Sequence, residues 1–286
     1  MHNQKTPYCP VILINNHKLV EKAYCNEFGE EGFVAFLATG REGSGKTSYA
    51  LWLGYLVYKD WDTVLKHLYF DPIPALKSFE KAVDRGERLK YVIFDDAGLW
   101  ISKYRTYDEN VKAFIEFYNV IRTLTASIML TSPSDEIQRM LREKAWIRMI
   151  VEPLTYAVAA KYEIPLEIYG IDPKKQPLSI AKVYELNISP MLERYVTKRN
   201  VEIFPRHYPV KEKYDEKRRQ AVKKKLIYLR EVFERKENMN VLKKYAAWVL
   251  VKLQGYSIRE AAKILRSSRS NVHRWVKWAD DVVSTH

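Results

Sequence analysis

The sequence predicts an α/β fold, in which a parallel sheet is flanked by helices on both faces and followed by a small all-α domain. Two observations predict it. Between residues 32 and 152, short apolar runs typical of buried strands alternate with segments of helical periodicity. From residue 211 onwards the chain is strongly basic, and its patterns are helical. At 286 residues, the chain is long enough for one sizeable core and a smaller module.

A glycine-rich motif lies between the first predicted strand, 32–39, and the first predicted helix. The segment Gly40–Ser48 fits the phosphate-binding pattern G-x-x-x-x-G-K-[ST], the P-loop, at every fixed position. Its glycines allow successive backbone N–H groups to point at a polyphosphate, and the start of the helix adds partial positive charge. A glycine-rich turn that matches by chance is the alternative. The predicted phosphate-binding residues are Gly40, Gly43, Ser44, Gly45, Lys46, Thr47 and Ser48.

Two acids follow a later predicted strand. A strand at 68–70 and a helix at about 74–83 precede Lys90 and the four apolar residues 91–94. Asp95 and Asp96 follow this run, which is the Walker B pattern. Asp95 is expected close to a Mg²⁺ ion, and Asp96 stands where a water-polarising glutamate is common. A solvated turn is the alternative for two adjacent acids.

Three side chains have predicted catalytic roles, and ATP and Mg²⁺ are the predicted cofactors. Lys46 is expected to reach the β- and γ-phosphates, while the hydroxyl of Thr47 binds the metal together with Asp95. Asp96 is expected to orient the attacking water. Thr131, at the polar end of a strand predicted at 126–132, is a candidate sensor of the γ-phosphate. A simple strand-end hydroxyl is the alternative for this threonine.

The remaining elements of this region are predicted from local signals. A helix at about 108–124 precedes the strand that contains Thr131, and 147–151 is predicted to be a fifth strand. Ser132 and Pro133 predict the N-cap and first position of a helix that runs to about Glu143.

The order of these strands and motifs resembles the additional-strand P-loop ATPases, the division that contains AAA+ proteins, RecA-like motors and DNA-pumping ATPases. The resemblance covers about residues 32–152. It implies an ATPase in which a sensor strand, here ending in Thr131, lies between the P-loop and Walker B strands. Asp96 departs from the usual glutamate and is shorter by one methylene, which affects hydrolysis rather than nucleotide binding. Candidates for an arginine acting in trans are Arg139, Arg142 and Arg148.

Residues 153–205 contain no motif that indicates chemistry; an antiparallel extension of the sheet and a small platform used in assembly are both open for them. The alternating segments Tyr156–Ile164 and Ser179–Leu186 predict strands, with turn residues between them. From Tyr214 to about Glu237 the chain is basic and helical, which favours contact with a phosphate backbone. A solvated connector helix is the alternative.

The C-terminal segment contains signals for three helices. Asn240 is a candidate N-cap for the first, which ends near Gly255, and Ser257 and Glu260 form a capping box that opens the second. The third is predicted at 269–278, and the last two resemble the helix-turn-helix of resolvases, invertases and transposase N-terminal modules. That resemblance implies a helix in the major groove of double-stranded DNA; a bundle for protein contact is the alternative. The DNA-binding residues it implies are Arg269, Ser270, Asn271, His273, Arg274 and Lys277.

Charge and composition indicate the partners. The net charge is +13, and the segment 211–286 contains 20 Lys or Arg and 9 Asp or Glu, which favours a polyanionic partner. No apolar run approaches the length that crosses a bilayer, and the N-terminus lacks a signal-peptide core. Cys9 and Cys25 are too few for a disulfide scaffold or a four-ligand metal site. We therefore expect a cytoplasmic protein with reduced thiols and no membrane partner.

These patterns predict an ATP-dependent DNA-binding protein. The combination resembles compact ATPases of archaeal viruses and plasmids, which implies DNA-stimulated ATP hydrolysis in replication initiation, genome maintenance or packaging of a mobile element. A homo-oligomer is expected in the ATP-bound state. A nucleotide-responsive DNA-binding regulator without significant turnover is the alternative. The predicted parts are an N-terminal segment (1–31), an ATPase core (32–152), a β-rich extension (153–210), a basic helical linker (211–238) and a helix-turn-helix domain (239–286).

Overall fold

The computed structural model describes residues 12–27, 32–99, 101, 109–134, 137, 139–188 and 194–283. Cys9 and the predicted helix start at residue 108 lie outside these ranges. The chain divides into two compact units, Met1–Arg218 and Arg219–His286. The first unit contains the sheet, and the second is helical. Within the described ranges, no helix combines the length and the apolar character needed to cross a membrane.

Ten α-helices and seven strands are present in the described part of the chain. The helices are α1 (His17–Tyr24), α2 (Lys46–Tyr58), α3 (Trp61–Lys66), α4 (Pro72–Asp84), α5 (Glu109–Val120), α6 (Arg139–Lys144), α7 (Tyr156–Lys161), α8 (Lys211–Trp248), α9 (Ile258–Ile264) and α10 (Arg269–Val283). The strands are β1 (Val34–Thr39), β2 (Leu68–Tyr69), β3 (Val92–Phe94), β4 (Ser127–Ser132), β5 (Ile147–Pro153), β6 (Leu178–Ile188) and β7 (Arg194–Pro205).

The sheet has the strand order β2-β3-β4-β1-β5-β6-β7. The first five strands in this order are parallel, and β6 and β7 continue the sheet in antiparallel pairing. Since β4 pairs with both β1 and β3, the expected position of the strand that contains Thr131, between the strand before the glycine-rich motif and the strand before the two acids, is confirmed. Parallel strands bring their carboxyl ends to one edge of the sheet, and Gly40, Asp95 and Thr131 lie at that edge.

Helices cover both faces of the sheet, as predicted. Neighbouring residues of β1 point to opposite faces, so that Phe36 packs in one core with Tyr49 of α2 and Leu37 packs in another with Phe114 of α5. All four side chains are almost completely buried. A third core lies between α7 and the antiparallel strands and includes Ala159.

The prediction of a strand at Tyr156–Ile164 is wrong, because its first six residues form α7. Thr155 caps this helix by accepting a hydrogen bond of 3.2 Å from the N–H of Val158, and the alanines that follow favour helix. Alternation of small apolar residues over such a short segment does not separate helix from strand. The predicted strand Ser179–Leu186 lies within β6.

The prediction of a helix that starts at Pro133 is also wrong. Pro133 and Ser134 form a bend, and α6 begins at Arg139. The hydroxyl of Ser132 accepts a hydrogen bond of 3.4 Å from the N–H of Ser134, so it stabilises a turn instead of a helix start.

Helix α8 is 38 residues long and passes Asn240 without interruption. The predicted N-cap at Asn240 is therefore wrong, and the predicted linker and the first tail helix form one helix. The segment contains no glycine or proline and is rich in Lys, Arg and Glu, which sustain a helix. A helical turn, Val249–Leu253, follows α8, and Gly255 ends it with a φ of +72°, as predicted.

Candidate functional site

The loop between β1 and α2 has the backbone that the glycine pattern predicts. Gly40, Gly43 and Gly45 have φ angles of +149°, +71° and +103°. A Cβ atom on Gly40 would lie 2.3 Å from the carbonyl oxygen of Val151, and one on Gly45 would lie 2.9 Å from the hydroxyl of Ser179. The loop therefore needs glycine for its backbone conformation and for its close approach to β5 and β6.

The first turn of α2 faces the loop without a side-chain cap. Gly45 is the N-cap residue, and no side chain accepts from this helix end. Since the first N–H groups of a helix have no acceptor within it, this end suits an anion. The hydroxyl of Ser44 is buried and has no hydrogen-bond partner among the described residues. That orphaned polar atom, next to the cradle of N–H groups, fits a polar ligand such as a phosphate chain.

Lys46 points into the loop that precedes it. Its Nζ donates hydrogen bonds to the carbonyl oxygens of Gly40, at 2.8 Å, and of Arg41, at 2.9 Å, and the residue is only 8% exposed. Burial lowers the pKa of the Lys46 ammonium, and the carboxylates of Asp96 and Asp95 oppose this shift. The loop thus holds a positive charge where the predicted phosphates lie. Ser48 instead donates to the carbonyl of Arg206, at 2.7 Å.

The two acids and the two threonines form one group of contacts. Asp95 is fully buried at the end of β3 and accepts hydrogen bonds from the hydroxyls of Thr47, at 3.0 Å, and Thr131, at 2.6 Å. The hydroxyl of Thr131 also accepts from the N–H of Asp96, at 2.9 Å. The pKa of the Asp95 carboxyl is raised by burial and by the charge of Asp96, while its hydroxyl partners act in the opposite direction.

The predicted metal-binding residues are compatible with Mg²⁺. Thr47 and Asp95 offer oxygen atoms at adjacent positions, and Mg²⁺ is commonly held by one or two protein oxygens together with phosphates and water. Among the residues that the structure describes, no group of three or more His, Cys, Asp or Glu side chains could hold a metal ion. A metal at this site would therefore take the rest of its ligands from a nucleotide and from water.

Two site residues on α8 were missed by the sequence reasoning. The hydroxyl of Tyr214 donates to Oδ2 of Asp95 at 2.6 Å, and Nη2 of Arg218 lies 2.8 Å from Oδ2 of Asp96. Their spacing of four residues places them on one helix face. The spacing alone gives no reason to expect that these two side chains contact Asp95 and Asp96. The side chain of the candidate Arg139 lies outside the described structure.

In the second unit, α9 and α10 lie where the second and third helices of the tail are predicted. Ala247, Ala262, Val272 and Val276 form its buried core with partly buried Trp275. The capping box is present in full, with the Ser257 hydroxyl accepting from the N–H of Glu260 and the Glu260 carboxylate accepting from the N–H of Ser257. Arg266 occupies the turn between α9 and α10 with a φ of +48°, a conformation that favours glycine.

The candidate DNA-binding side chains lie along α10. Asn271 is half-buried and bonds within the turn, because its Nδ2 lies 3.4 Å from the hydroxyl of Ser267 and its Oδ1 accepts from Arg274. Ser270 forms a hydroxyl contact of 3.0 Å with Ser268. The exposed candidates on this helix are Arg269, Ser270, His273, Arg274 and Lys277.

The fold and site define an α/β protein with a seven-stranded sheet flanked by helices, a form compatible with a P-loop nucleotide-binding fold. No protein-family model matches the chain. Its relatives include uncharacterized proteins of two archaeal viruses. Protein B-251 of Sulfolobus spindle-shape virus 1 is 34% identical over 130 residues, which cover 42% of this chain and 52% of that protein. Protein ORF286 of Acidianus two-tailed virus is 30% identical over 185 residues, which cover 62% of this chain and 58% of that protein. The chain thus spans little more than half the length of these curated relatives.

Some solved structures contain chains that are distantly similar to this one. A chain of the Escherichia coli MS115-1 HORMA:CdnC:Trip13 complex matches with a TM-score of 0.32 and 16% identity, over 45% of this chain and 58% of that chain. A KaiC-like protein of Pyrococcus horikoshii OT3 matches with a TM-score of 0.27 and 14% identity, over 60% of this chain and 94% of that chain. Both scores are low, and no assignment rests on them.

Proposed function

We propose that this protein is an ATP-dependent DNA-binding protein: it binds ATP and Mg²⁺, hydrolyses ATP, and binds double-stranded DNA through its C-terminal helices. The observation that best supports the nucleotide part is the series of contacts from Thr47 through Asp95 to Thr131. It joins the start of α2 to the carboxyl ends of β3, which the two acids follow, and of β4. The sheet order, with β4 between β1 and β3, supports membership of the additional-strand P-loop ATPases.

The residues of the site suit phosphoryl transfer to water. The backbone of Gly40–Ser48 would surround the phosphates, and Lys46 would place its charge beside them. Thr47 and Asp95 would hold Mg²⁺, which would supply positive charge against the phosphates. Asp96 is the group that would orient the attacking water. Thr131 fixes the two acids relative to each other, because it donates to Asp95 and accepts from the N–H of Asp96.

The nucleotide part is tested by binding and phosphate release, measured with and without duplex DNA. Lys46→Ala should weaken ATP binding, since it removes the charge at the loop. Asp96→Asn should retain ATP binding and slow turnover by on the order of a hundredfold, the scale of a lost general base. Matched controls on α4 are Lys81→Ala and Asp84→Asn, which change exposed residues remote from the loop. ATP binding that is unchanged in Lys46→Ala would rule out the assigned site.

The basic face of α10 supports the DNA part. Neutralising Arg269, Arg274 and Lys277 together should weaken duplex binding and reduce the slope of log affinity against log salt by about 3. The matched control is Lys77→Ala, Lys81→Ala and Arg85→Ala, which removes the same charge from α4 and its C-cap. Equal losses in both triple variants would show that net charge alone attracts DNA and that α10 does not read it.

A specific contact favours a second function, that of a DNA-binding regulator that binds ATP without turning it over. Arg218 pairs with Asp96, the proposed water-orienting group, at 2.8 Å, and Asp96 is shorter than the common glutamate. DNA-stimulated phosphate release that is lost in Asp96→Asn excludes this alternative. ATP binding without release supports it.

The relatives from archaeal viruses favour a role in the genome of such an element, in replication initiation, genome maintenance or packaging. An ATP-bound homo-oligomer would fit these roles. Light-scattering mass with and without ATP tests it, since a mass that stays at one chain in both states contradicts assembly.

A further inference from the structure

The segment between β7 and the second turn of α8 runs along the candidate nucleotide site. Ser48 and Trp52, both on α2, bind its backbone: the Ser48 hydroxyl donates to the carbonyl of Arg206 at 2.7 Å, and Trp52 Nε1 donates to the carbonyl of His207 at 3.1 Å. The guanidinium of Arg206 donates to the carbonyl of Gly43 in the loop. This segment is therefore fixed to the same loop that is proposed to bind phosphates.

The first two turns of α8 hold both acids of the site. Tyr214 is 3% exposed, packs against Phe70 with ring centroids 5.8 Å apart, and donates to Asp95 at 2.6 Å. One turn later, Arg218 forms its 2.8 Å ion pair with Asp96. Both acids that are assigned to metal binding and water activation are thus engaged by one helix.

A metal–nucleotide bound at this site would compete with Tyr214 for Asp95 and with Asp96 for Arg218. A carboxylate accepts hydrogen bonds at about four positions, and Asp95 already accepts from three hydroxyls. Two of these hydroxyls belong to α2 and to β4, and the third belongs to α8. A guanidinium forms its strongest pairs with groups that accept two parallel N–H bonds, and phosphates are such groups.

We propose that Tyr214 and Arg218 form a latch, in which they bind Asp95 and Asp96 in the nucleotide-free chain and leave them when a magnesium–nucleoside triphosphate binds. The start of α8 is then released from the site. This inference rests on the proposed nucleotide site and adds its regulation. The contacts of the latch are all made by the first two turns of α8. The linkage is reciprocal, so that a ligand that holds these turns on the two acids lowers nucleotide affinity by the factor with which the nucleotide releases them.

The latch predicts a change in backbone hydrogen exchange. In the full chain, amides of residues 214–218, the first of which donates to the carbonyl of Val210, should be protected without ligand and should exchange at least about tenfold faster with Mg²⁺ and a non-hydrolysable ATP analogue. Tyr214→Phe removes only the hydroxyl, so these amides should already exchange about tenfold faster without ligand, the factor expected for loss of one hydrogen bond to a charged group. Its affinity for the analogue should rise, because a competing contact is gone.

The control is Tyr208→Phe, which removes a hydroxyl beside Tyr214, at a ring distance of 5.8 Å. It should leave exchange and affinity as in the wild type. If the analogue binds, by equilibrium dialysis, while exchange at 214–218 is unchanged, the latch is wrong and the nucleotide site stands. If the analogue does not bind to the wild type, the proposed function itself fails. Affinity that falls in Tyr214→Phe would make the tyrosine a supporting residue of the bound state, which also overturns the latch.

Discussion

The carboxylate of Glu202 on β7 accepts a 2.6 Å hydrogen bond from the hydroxyl of Tyr49 on α2, and both side chains are completely buried. Glu202 also accepts from the backbone N–H groups of Asn15, at 2.9 Å, and Asn16, at 3.2 Å. One carboxylate thereby joins the segment before α1, helix α2 and the antiparallel extension of the sheet. Burial raises the pKa of Glu202, and its hydrogen bonds lower it.

Tyr49→Phe should destabilise the first unit by about 2 kcal/mol, because it removes a hydrogen bond to a buried carboxylate. Denaturant unfolding at pH 7 measures this. In a Glu202→Gln background the same change should cost only about 1 kcal/mol, the value for a neutral bond. Tyr55→Phe, on the same helix, is the control. An equal cost of Tyr49→Phe in both backgrounds would contradict a charge-dependent bond.

Gly40→Ala should destabilise the first unit far more than Gly170→Ala does. Both glycines have positive φ, but a Cβ on Gly40 meets the carbonyl of Val151 at 2.3 Å, while one on Gly170 meets nothing within 4 Å. We expect about 3 kcal/mol for Gly40→Ala and about 1 kcal/mol for Gly170→Ala, because only the former adds overpacking to backbone strain. Paired denaturant titrations measure the difference. Similar losses would show that the loop shifts to accept the extra carbon.

His67 should make the first unit less stable in mild acid. The ring is 6% exposed and stacks on Tyr58, and burial, followed by the charges of Lys66 and Lys217, lowers the pKa of His67 to about 4. Because the folded-state pKa lies below that of the unfolded chain, the stabilisation is complete above about pH 6.5 and declines as the pH falls towards 4.

Between pH 7 and pH 5, protonation of His67 in the unfolded chain should lower the free energy of unfolding of the wild type by about 2 kcal/mol. His67→Gln cannot take up the proton, so its stability relative to the wild type should improve by that amount over the same interval. Urea titrations at the two pH values give the comparison. A gap between the two proteins that does not change with pH would contradict a depressed pKa.

Arg266→Gly should leave the second unit more stable than Arg266→Ala by about 1 kcal/mol, since a φ of +48° is strained for any residue with a Cβ. Arg259, within α9, provides the reciprocal control, because there glycine should be worse than alanine by about 1 kcal/mol. Hydrogen exchange of the amides of α9 and α10 measures both. If the glycine variant is the more stable of the two at both positions, the positive φ of the turn is not the cause of the difference at Arg266.

Most of the candidate nucleotide site could be predicted because it depends on local signals. The glycines at 40, 43 and 45, the acids after β3 and the hydroxyl at the end of β4 each belong to a short pattern. The rule that parallel strands share an edge then brings them together. The strand predicted at Tyr156–Ile164 failed for a related reason, since a six-residue helix with a threonine cap has almost the same apolar pattern as a strand.

The contacts of α8 could not be predicted. Tyr214 is separated from Asp95 by 119 positions and Arg218 from Asp96 by 122. No periodicity or motif relates them, because the approach depends on where β7 ends and on how its continuation packs against Trp52 and Ser48. The same is true of Glu202 and Tyr49, which are 153 positions apart.

By itself, the sequence determined the glycine-rich loop before α2, the strand that precedes the two acids, the strand that contains Thr131, and the capping box and helix-ending glycine of the tail. These features depend on backbone preferences and on contacts between residues a few positions apart. Only the tertiary structure decided that β6 and β7 extend the sheet, that α8 is continuous through Asn240, and that its first turns bind the two acids. Those features depend on burial and hydrogen bonding between distant segments, whose pairing is fixed when the whole core packs.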